Sequence, residues 1–264
     1  MKVLAPVTAV RKAAHREYRE IVLAAPGIAA EVRPGQFVNV RLPRGEGPLL
    51  RRPFSVADRD AGTIVLLMRV KGRFTREAAR LRPGDELDVL GPLGNGFTPR
   101  QPGGTAFLAA GGCGIAALFM LAKSLQGAGT RVVLACGAKT ADEMLWKERI
   151  EEAGLSACWA TEDGTAGEKG TVVDLAAKLI PSSPQPVYAY ACGPVAMLRA
   201  LHERFPGVST QVALEAMMAC GTGLCHGCSV PVKDGTGYER YARACKDGPV
   251  FDAGTVDWEA MPAP

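Results

Sequence analysis

Four cysteines fall within one short, glycine-rich stretch: Cys220, Cys225 and Cys228 at a Cys-x4-Cys-x2-Cys spacing, then Cys245 after sixteen further residues. So small a segment needs a metal, a cluster or a neighbour to hold it, because it cannot bury a core of its own. A disulfide framework suits shorter secreted chains with a signal peptide. Here the first residues, MKVLAPVTAVRKAAHRE, carry one lysine and a short apolar stretch but no cleavage region, and read as a first strand. The spacing matches the plant-type [2Fe–2S] pattern, in which soft thiolates hold iron and sulfide. A zinc ribbon would use two Cys-x2-Cys pairs, and this chain has one. Gly221, Gly223 and Gly227 allow the loop to wrap tightly and turn its amides toward the sulfurs. His226 lies between ligands but is expected to be exposed, because four cysteines complete the site.

Composition bounds the remainder. The chain has 264 residues, 47% hydrophobic and 22% charged, which is globular and long enough for one large or two ordinary domains. A net charge of +4 without long runs of one sign argues against a nucleic-acid protein. Two uncharged stretches, 101–122 and 179–198, are broken by five glycines and a proline and by four prolines, so neither reads as a membrane span. A reducing, cytoplasmic setting is expected.

Three parts are expected. Residues 1–100 carry short strand-like runs (35–42, 63–70, 85–90) between turns, which predicts a small antiparallel β-barrel. One helix is expected within it over 75–81, with Thr75 as its N-cap. Residues 101–212 alternate strands (105–110, 131–136, 157–161, 187–191) with helical segments (115–125, 142–153, 172–179, 195–205), predicting an α/β domain with a parallel sheet. The boundary falls at Gln101-Pro102-Gly103-Gly104. Residues 213–264 form the cluster-binding segment.

Two further motifs carry chemistry. Arg51-Arg52-Pro53-Phe54-Ser55, with Arg69-Val70-Lys71-Gly72-Arg73-Phe74-Thr75, suits a flavin dinucleotide. Arg52 and Thr75 could serve its pyrophosphate and Ser55 the isoalloxazine N5. Gly111-Gly112-Cys113-Gly114 follows one strand of the expected sheet and Cys192-Gly193-Pro194 follows another, where open parallel sheets bind nucleotides. Ala117 stands at the third glycine position of G-x-G-x-x-G, so this is not the standard dinucleotide fingerprint. Cys136 and Cys158 are expected to be small buried hydrophobes, and Trp146 and Trp159 core or interface residues. Histidines at 15, 202 and 226 form no nucleophilic triad, and no catalytic side chain is assigned.

In chain order, Leu50-Arg51-Arg52-Pro53-Phe54-Ser55, the segment 88–97 (DVLGPLGNGF), Gly111-Gly112-Cys113-Gly114, Cys192-Gly193-Pro194, the cysteine loop and the segment 245–251 (CKDGPVF) resemble the electron transfer subunits of NAD-linked dihydroorotate dehydrogenases. These belong to the ferredoxin reductase-like superfamily. The resemblance spans nearly the whole chain, and its most specific parts are Gly-Pro-Leu-Gly-Asn-Gly-Phe and Asp-Gly-Pro-Val-Phe.

It implies FAD on the barrel, NAD(H) on the parallel-sheet domain and one [2Fe–2S] cluster on Cys220, Cys225, Cys228 and Cys245. It also implies docking to an FMN-containing catalytic subunit that oxidises dihydroorotate, in a two-plus-two complex. Flavin contacts carried over by the resemblance are Arg52, Pro53, Phe54, Ser55, Met68, Arg69, Val70, Phe74 and Thr75. Gly111, Gly112, Gly114, Cys192, Gly193 and Pro194 would place the nicotinamide. Met68 stands where the family often has tyrosine, Phe74 where it has glycine and Cys113 where a third glycine is common, and Ala216 and Met217 replace more polar residues.

The motifs are also similar to the small subunits of NADH-dependent ferredoxin:NADP oxidoreductases and of sulfide dehydrogenases. A free-standing NAD(P)H flavin reductase, or a zinc-stabilised adaptor without flavin, would be the remaining readings. Lys139 and Thr140 could meet a 2′-phosphate while Asp142 and Glu143 argue against one, so NAD over NADP comes from the resemblance.

Overall fold

The computed structural model describes residues 1–13, 17–43, 47–100, 103–233 and 240–261. His15, and the Gln101 and Pro102 of the expected boundary, lie outside them.

The first half is a closed antiparallel barrel. Its strands are β1 (Lys2–Lys12), β2 (Tyr18–Ala24), β3 (Phe37–Arg41), β4 (Arg52–Asp60), β5 (Thr63–Arg69) and β6 (Glu86–Leu93), in the order β1-β2-β5-β4-β3-β6. Period-two patterning explains the closure. Ile21, Leu23, Val38, Val40, Val56, Ile64, Leu66, Met68, Leu87 and Val89 face one interior. Two short helices seal it: α1 (Pro26–Glu31), which buries Ile28 and Ala29, and α2 (Arg73–Ala78), which buries Phe74 and Ala78. The helix expected at 75–81 thus starts two residues earlier and is capped by Gly72. Thr75 is its third residue, accepting from the Lys71 and Gly72 amides at 3.0 and 2.9 Å.

The second half is a seven-stranded sheet in the order β10-β9-β8-β7-β11-β12-β15. Its strands are β7 (Thr105–Gly111), β8 (Arg131–Ala138), β9 (Ala157–Thr161), β10 (Glu168–Lys169), β11 (Val187–Cys192), β12 (Ser209–Ala213) and β15 (Val250–Asp252). Its helices are α3 (Ile115–Gly127), α4 (Lys147–Glu152), α5 (Val172–Leu179) and α6 (Val195–Arg204). All pairings are parallel except β12 with β15, so the C-terminal segment closes an edge of the sheet. A two-stranded ribbon, β13 (Ser229–Pro231) with β14 (Tyr241–Arg243), carries the cluster loop.

One expected helix is shorter than its pattern. Residues 142–153 divide into a 3-10 turn, Ala141–Glu143, and α4, because Trp146 takes φ 62° and breaks the path. Its ring packs edge-on against Phe119, with centroids 5.2 Å apart, and the Arg149 guanidinium lies 5.0 Å over it. Cys136 is buried as expected, whereas Cys158 is exposed, because β10 covers β9 only at Ala160 and Thr161.

Polar and apolar contacts fix the two halves against each other. The outer barrel residues Tyr18, Ala57, Val65 and Leu67 share a core with α3. Beside them Arg149 donates to Glu20 at 3.0 Å and to Asp58 at 2.9 Å, and Lys123 donates to Asp58 at 2.8 Å. Both carboxylates are buried, and opposite charge at this range compensates their lost hydration.

Candidate functional site

The four cysteines come together at the junction of barrel, sheet and ribbon. Cys228 and Cys245 are buried in the core that holds Phe37 of the barrel and Phe251 of the sheet edge, while Cys220 is half-buried and Cys225 exposed. Their sulfurs interact in two pairs, Cys220 with Cys225 and Cys228 with Cys245. Among the described residues, no three His, Cys, Asp or Glu side chains close around a single point. Four thiolates are the donor set that a [2Fe–2S] cluster takes, and these four cysteines would supply it.

Backbone amides point at the sulfurs. Thr222 and Cys225 donate to Cys220 Sγ at 3.4 Å each, Gly223 to Cys245 Sγ at 3.1 Å and Gly227 to Cys225 Sγ at 3.4 Å. Donors of this kind stabilise thiolate. The Thr222 amide leads the effect that brings the Cys220 thiol down to about 5, while burial pushes Cys245 up to about 12. An iron cluster removes that conflict by coordinating the buried thiolate. The residues therefore fit the group. His226, at φ 57°, is exposed and absent from the sulfur contacts.

The glycine turns meet where nucleotide sites form. Counted from β7, the parallel strands run 4-3-2-1-5-6, so the order reverses between β7 and β11. Gly111-Gly112-Cys113-Gly114 and Cys192-Gly193-Pro194 leave the carboxyl ends of these two strands. Their backbones touch: a Cβ on Gly114 would overlap the Cys192 carbonyl oxygen, and one on Gly193 would lie 3.0 Å from Gly111 Cα.

Sequence reasoning named the turns of Cys113 and Cys192 in this cleft but passed over Tyr18 and Glu215. Tyr18 of the barrel interacts with Cys113 of the first turn. Burial raises each to about 12, leaving both uncharged at neutral pH. Burial likewise pushes the Cys192 thiol well above its ordinary value. Glu215, just past β12, keeps an exposed surface, yet the low-dielectric cleft walls raise its carboxyl against the pull of Lys71. The signal available for Glu215 was its place between a sheet strand and the first cluster cysteine.

The flavin-motif residues divide by strand face. Phe54, Met68 and Phe74 line the barrel interior with Ile21, Val40, Leu66 and Leu87, and the Phe54 and Phe74 rings lie 6.0 Å apart. On the alternate face of β4, Pro53 and Ser55 pair with Asn39 and Phe37 of β3, toward the cluster segment. Arg69 binds Glu17 at 3.0 Å, and its guanidinium lies 5.8 Å from the Tyr18 ring centre. Arg52 donates to the Leu50 carbonyl at 2.7 Å. Because the Thr75 hydroxyl is engaged by the Lys71–Gly72 turn, what it offers a phosphate is the shape of that turn.

The two segments most specific to the resemblance are bonded to each other. Asn95 Nδ2 donates to the Asp247 and Val250 carbonyls at 3.0 and 2.8 Å, and Asn95 Oδ1 accepts from Val250 N at 2.9 Å. The Asn95 amide also reaches Gly248 O at 2.6 Å. Gly94, at φ 71°, leaves room for Gly248 and Pro249 to approach.

Comparison with known proteins agrees with this layout. Residues 215–257 match the iron–sulfur cluster binding domain of dihydroorotate dehydrogenase B, and residues 108–203 match the oxidoreductase NAD-binding domain. The chain is 37% identical over 241 residues to the dihydroorotate dehydrogenase B (NAD(+)) electron transfer subunit of Bacillus cereus (strain 03BB102), covering 90% of this chain and 92% of that one. The Bacillus anthracis (strain A0248) protein of that name matches to the same extent. Among solved structures, one describing flavin-based electron bifurcation by the NADH-dependent reduced ferredoxin-NADP oxidoreductase aligns with TM-score 0.84 and 32% identity. That match covers 97% of this chain and 91% of that one. Phthalate dioxygenase reductase, at 15% identity and TM-score 0.64 over 89% of this chain and 87% of its own, shares the fold.

Proposed function

The chain belongs to the electron transfer subunits of dihydroorotate dehydrogenase B, and from that premise we propose that it relays electrons from an FMN-containing catalytic subunit to NAD⁺. Its cofactors are a [2Fe–2S] cluster, FAD and NAD(H). The observation that carries the reading is the gathering of four cysteine sulfurs, with amides aimed at them, against β3 of the barrel. When bound, the flavin supplies the conversion between two-electron hydride chemistry and the single electrons an iron–sulfur cluster carries.

This chain's residues hold those groups in order. Cys220, Cys225, Cys228 and Cys245 would hold the cluster through their thiolates. Pro53 and Ser55 present the flavin from the β4 face turned toward the cluster segment, with the Phe54, Met68, Val70 and Phe74 backbones framing it. Arg52, Arg69 and the Thr75 turn serve its phosphates. Gly111, Gly112, Gly114, Cys192, Gly193 and Pro194 receive the nicotinamide nucleotide at the strand-order reversal. Burial of Tyr18, Cys113 and Cys192 keeps unwanted charge out of the cleft. Asp142, Glu143, Glu162 and Asp163 follow β8 and β9, where the Glu162 and Asp163 amides bond Ala138 O and Lys139 O at 3.1 and 3.2 Å. Their carboxylates disfavour a 2′-phosphate and support NAD over NADP.

The division of labour we propose is FAD on residues 1–100, NAD(H) on 101–212 and the cluster on 213–264. Leu224 is 84% exposed beside Cys225, and Met217 is 91% exposed, which gives the cluster an apolar flank suited to a partner in a two-plus-two complex. Among the described residues no helix is long and apolar enough to cross a membrane, and we place the complex in the cytoplasm.

A second reading, the small subunit of an NADH-dependent ferredoxin–NADP oxidoreductase, is favoured by the 0.84 TM-score over 97% of the chain. Anaerobic affinity purification, with mass spectrometry of the co-purifying chain, separates the two. We expect an FMN barrel subunit, and dihydroorotate should bleach the visible absorbance only when it is present. Recovery of a larger flavin and iron–sulfur subunit, with no response to dihydroorotate, would move the function to ferredoxin chemistry.

A further inference from the structure

We propose that Asn39 is a positioning residue that seats the cluster loop on the barrel and so sets the rate of electron passage between flavin and cluster. The inference rests on the cofactor reading above. Asn39 lies on β3 and is 1% exposed, between Val38 and Val40, which face the barrel interior. Its own side chain points outward, and its Nδ2 donates to the Cys220 carbonyl at 3.2 Å. The next residue, Gly221, lies flat against the same amide: a Cβ there would overlap Nδ2, and the loop takes φ 66° at that point. A cluster-ligand loop therefore rests directly on one side chain of the flavin barrel.

The strand that carries it is fixed from below. Arg51 Nη1 donates to the Asn39 carbonyl at 3.3 Å and to the Asp88 carbonyl at 2.8 Å, while its Nη2 donates to Asp88 Oδ2 at 2.8 Å. Arg41 Nε donates to the same oxygen, also at 2.8 Å. Asn39 pairs with Pro53 across the sheet, and the neighbouring Phe37 pairs with Ser55. Phe37 in turn packs in the core of Cys228 and Cys245. Loop and flavin motif are thus joined through β3, by the Asn39 amide on one ligand pair and the Phe37 ring on the other.

The amide is held at a cost. Asn39 Oδ1 is buried without a partner among the described residues, and an unmet buried acceptor is destabilising. An aliphatic side chain of similar size would avoid that penalty and would keep the packing. It would also leave the Cys220 carbonyl without its donor and the loop without its seat.

The test uses the holoenzyme with its partner. Asn39→Leu and the smaller Asn39→Ser are reduced anaerobically with NADH in a stopped-flow instrument, with flavin and cluster bleaching followed as separate phases. Iron and acid-labile sulfide contents and the EPR spectrum of the reduced cluster are recorded alongside. We expect the ratio of the cluster rate to the flavin rate to fall about tenfold in Asn39→Leu, with a shifted EPR spectrum, as the loop loses its bond. Gly221→Ala should depress the ratio more in the wild-type background than in Asn39→Ala, where the amide no longer blocks the new methyl group.

Cluster loss with flavin retained would also support the seating role. If Asn39→Leu fails to fold, Asn39→Ser decides. Equal ratios and an unchanged EPR spectrum in a fully loaded variant would overturn the inference and leave the cofactor reading intact. A wild-type protein lacking the EPR signal and the flavin would overturn the cofactor reading itself.

Discussion

Asp88, 3% exposed on β6, shows how single residues support the site from a distance. Burial alone would raise its carboxyl, but hydrogen bonds from Arg51 and Arg41 more than offset this and hold it below the ordinary value. A carboxyl depressed on folding adds stability that is complete above its unfolded pKa, about 3.9, and is lost as pH falls through the lower folded value. Asp88→Asn should therefore destabilise the protein by about 2 kcal/mol at pH 7, less than a fully buried pair because Arg41 remains partly solvated. Urea melts at pH 7, 5 and 3.5 should show the gap to wild type narrowing toward acid, and a gap independent of pH would contradict the assignment. In the nucleotide cleft, the new methyl of Gly114→Ala meets the Cys192 carbonyl and must open the turn. We expect the KM for NADH to rise about tenfold in steady-state assays, which is within the usual range for overpacking.

At the scale of elements, the Asn95 clasp binds the end of the barrel to the strand that edges the sheet. Asn95→Ala removes three side-chain bonds. It should cost about 2–3 kcal/mol, with amides of 247–251 exchanging hydrogen faster than those of β7. A protection pattern unchanged in that segment would count against the clasp. Elements with a strong period were legible in the sequence: the barrel strands, β7, β8, β11 and α6 follow from alternation or helical repeat, and the cysteine spacing pointed to the cluster. What the sequence hid was decided by tertiary contact. Nothing local marks Trp146 for a left-handed backbone, in which its ring meets Phe119 edge-on and lies under Arg149. Thr75 reads as an N-cap, yet Gly72 takes that place because the hydroxyl closes the turn before it. Cys158 reads as a buried hydrophobe, but β10 reaches β9 only at Ala160 and Thr161 and leaves Cys158 exposed. Glu215 and Tyr18 carry no motif, and both come to the Cys113 turn because the two halves of the chain pack together.

For the whole molecule, Arg149 is the principal polar link between the halves, bridging Glu20 and Asp58 from α4. Arg149→Met leaves two buried carboxylates with Arg11 and Lys123 as their remaining cationic partners among the described residues. The expected loss is about 3 kcal/mol, or a fall in melting temperature of roughly 6–12 °C for a protein of this size. Calorimetry should also show the single transition of the wild type broadening or splitting as barrel and sheet unfold with less mutual support, and one sharp transition at the wild-type temperature would refute the link. The clasp has a further consequence for synthesis on the ribosome. Asn95 and its partner Asp247 are 152 residues apart. At translation rates of about 5–20 residues per second, the barrel is complete roughly 8–30 s before its docking partner exists. A sheet with open edges would be exposed to misassembly with other nascent chains throughout that interval. A barrel closed on itself offers no such edge, so the first half can wait in finished form for the cysteines that will hold the iron.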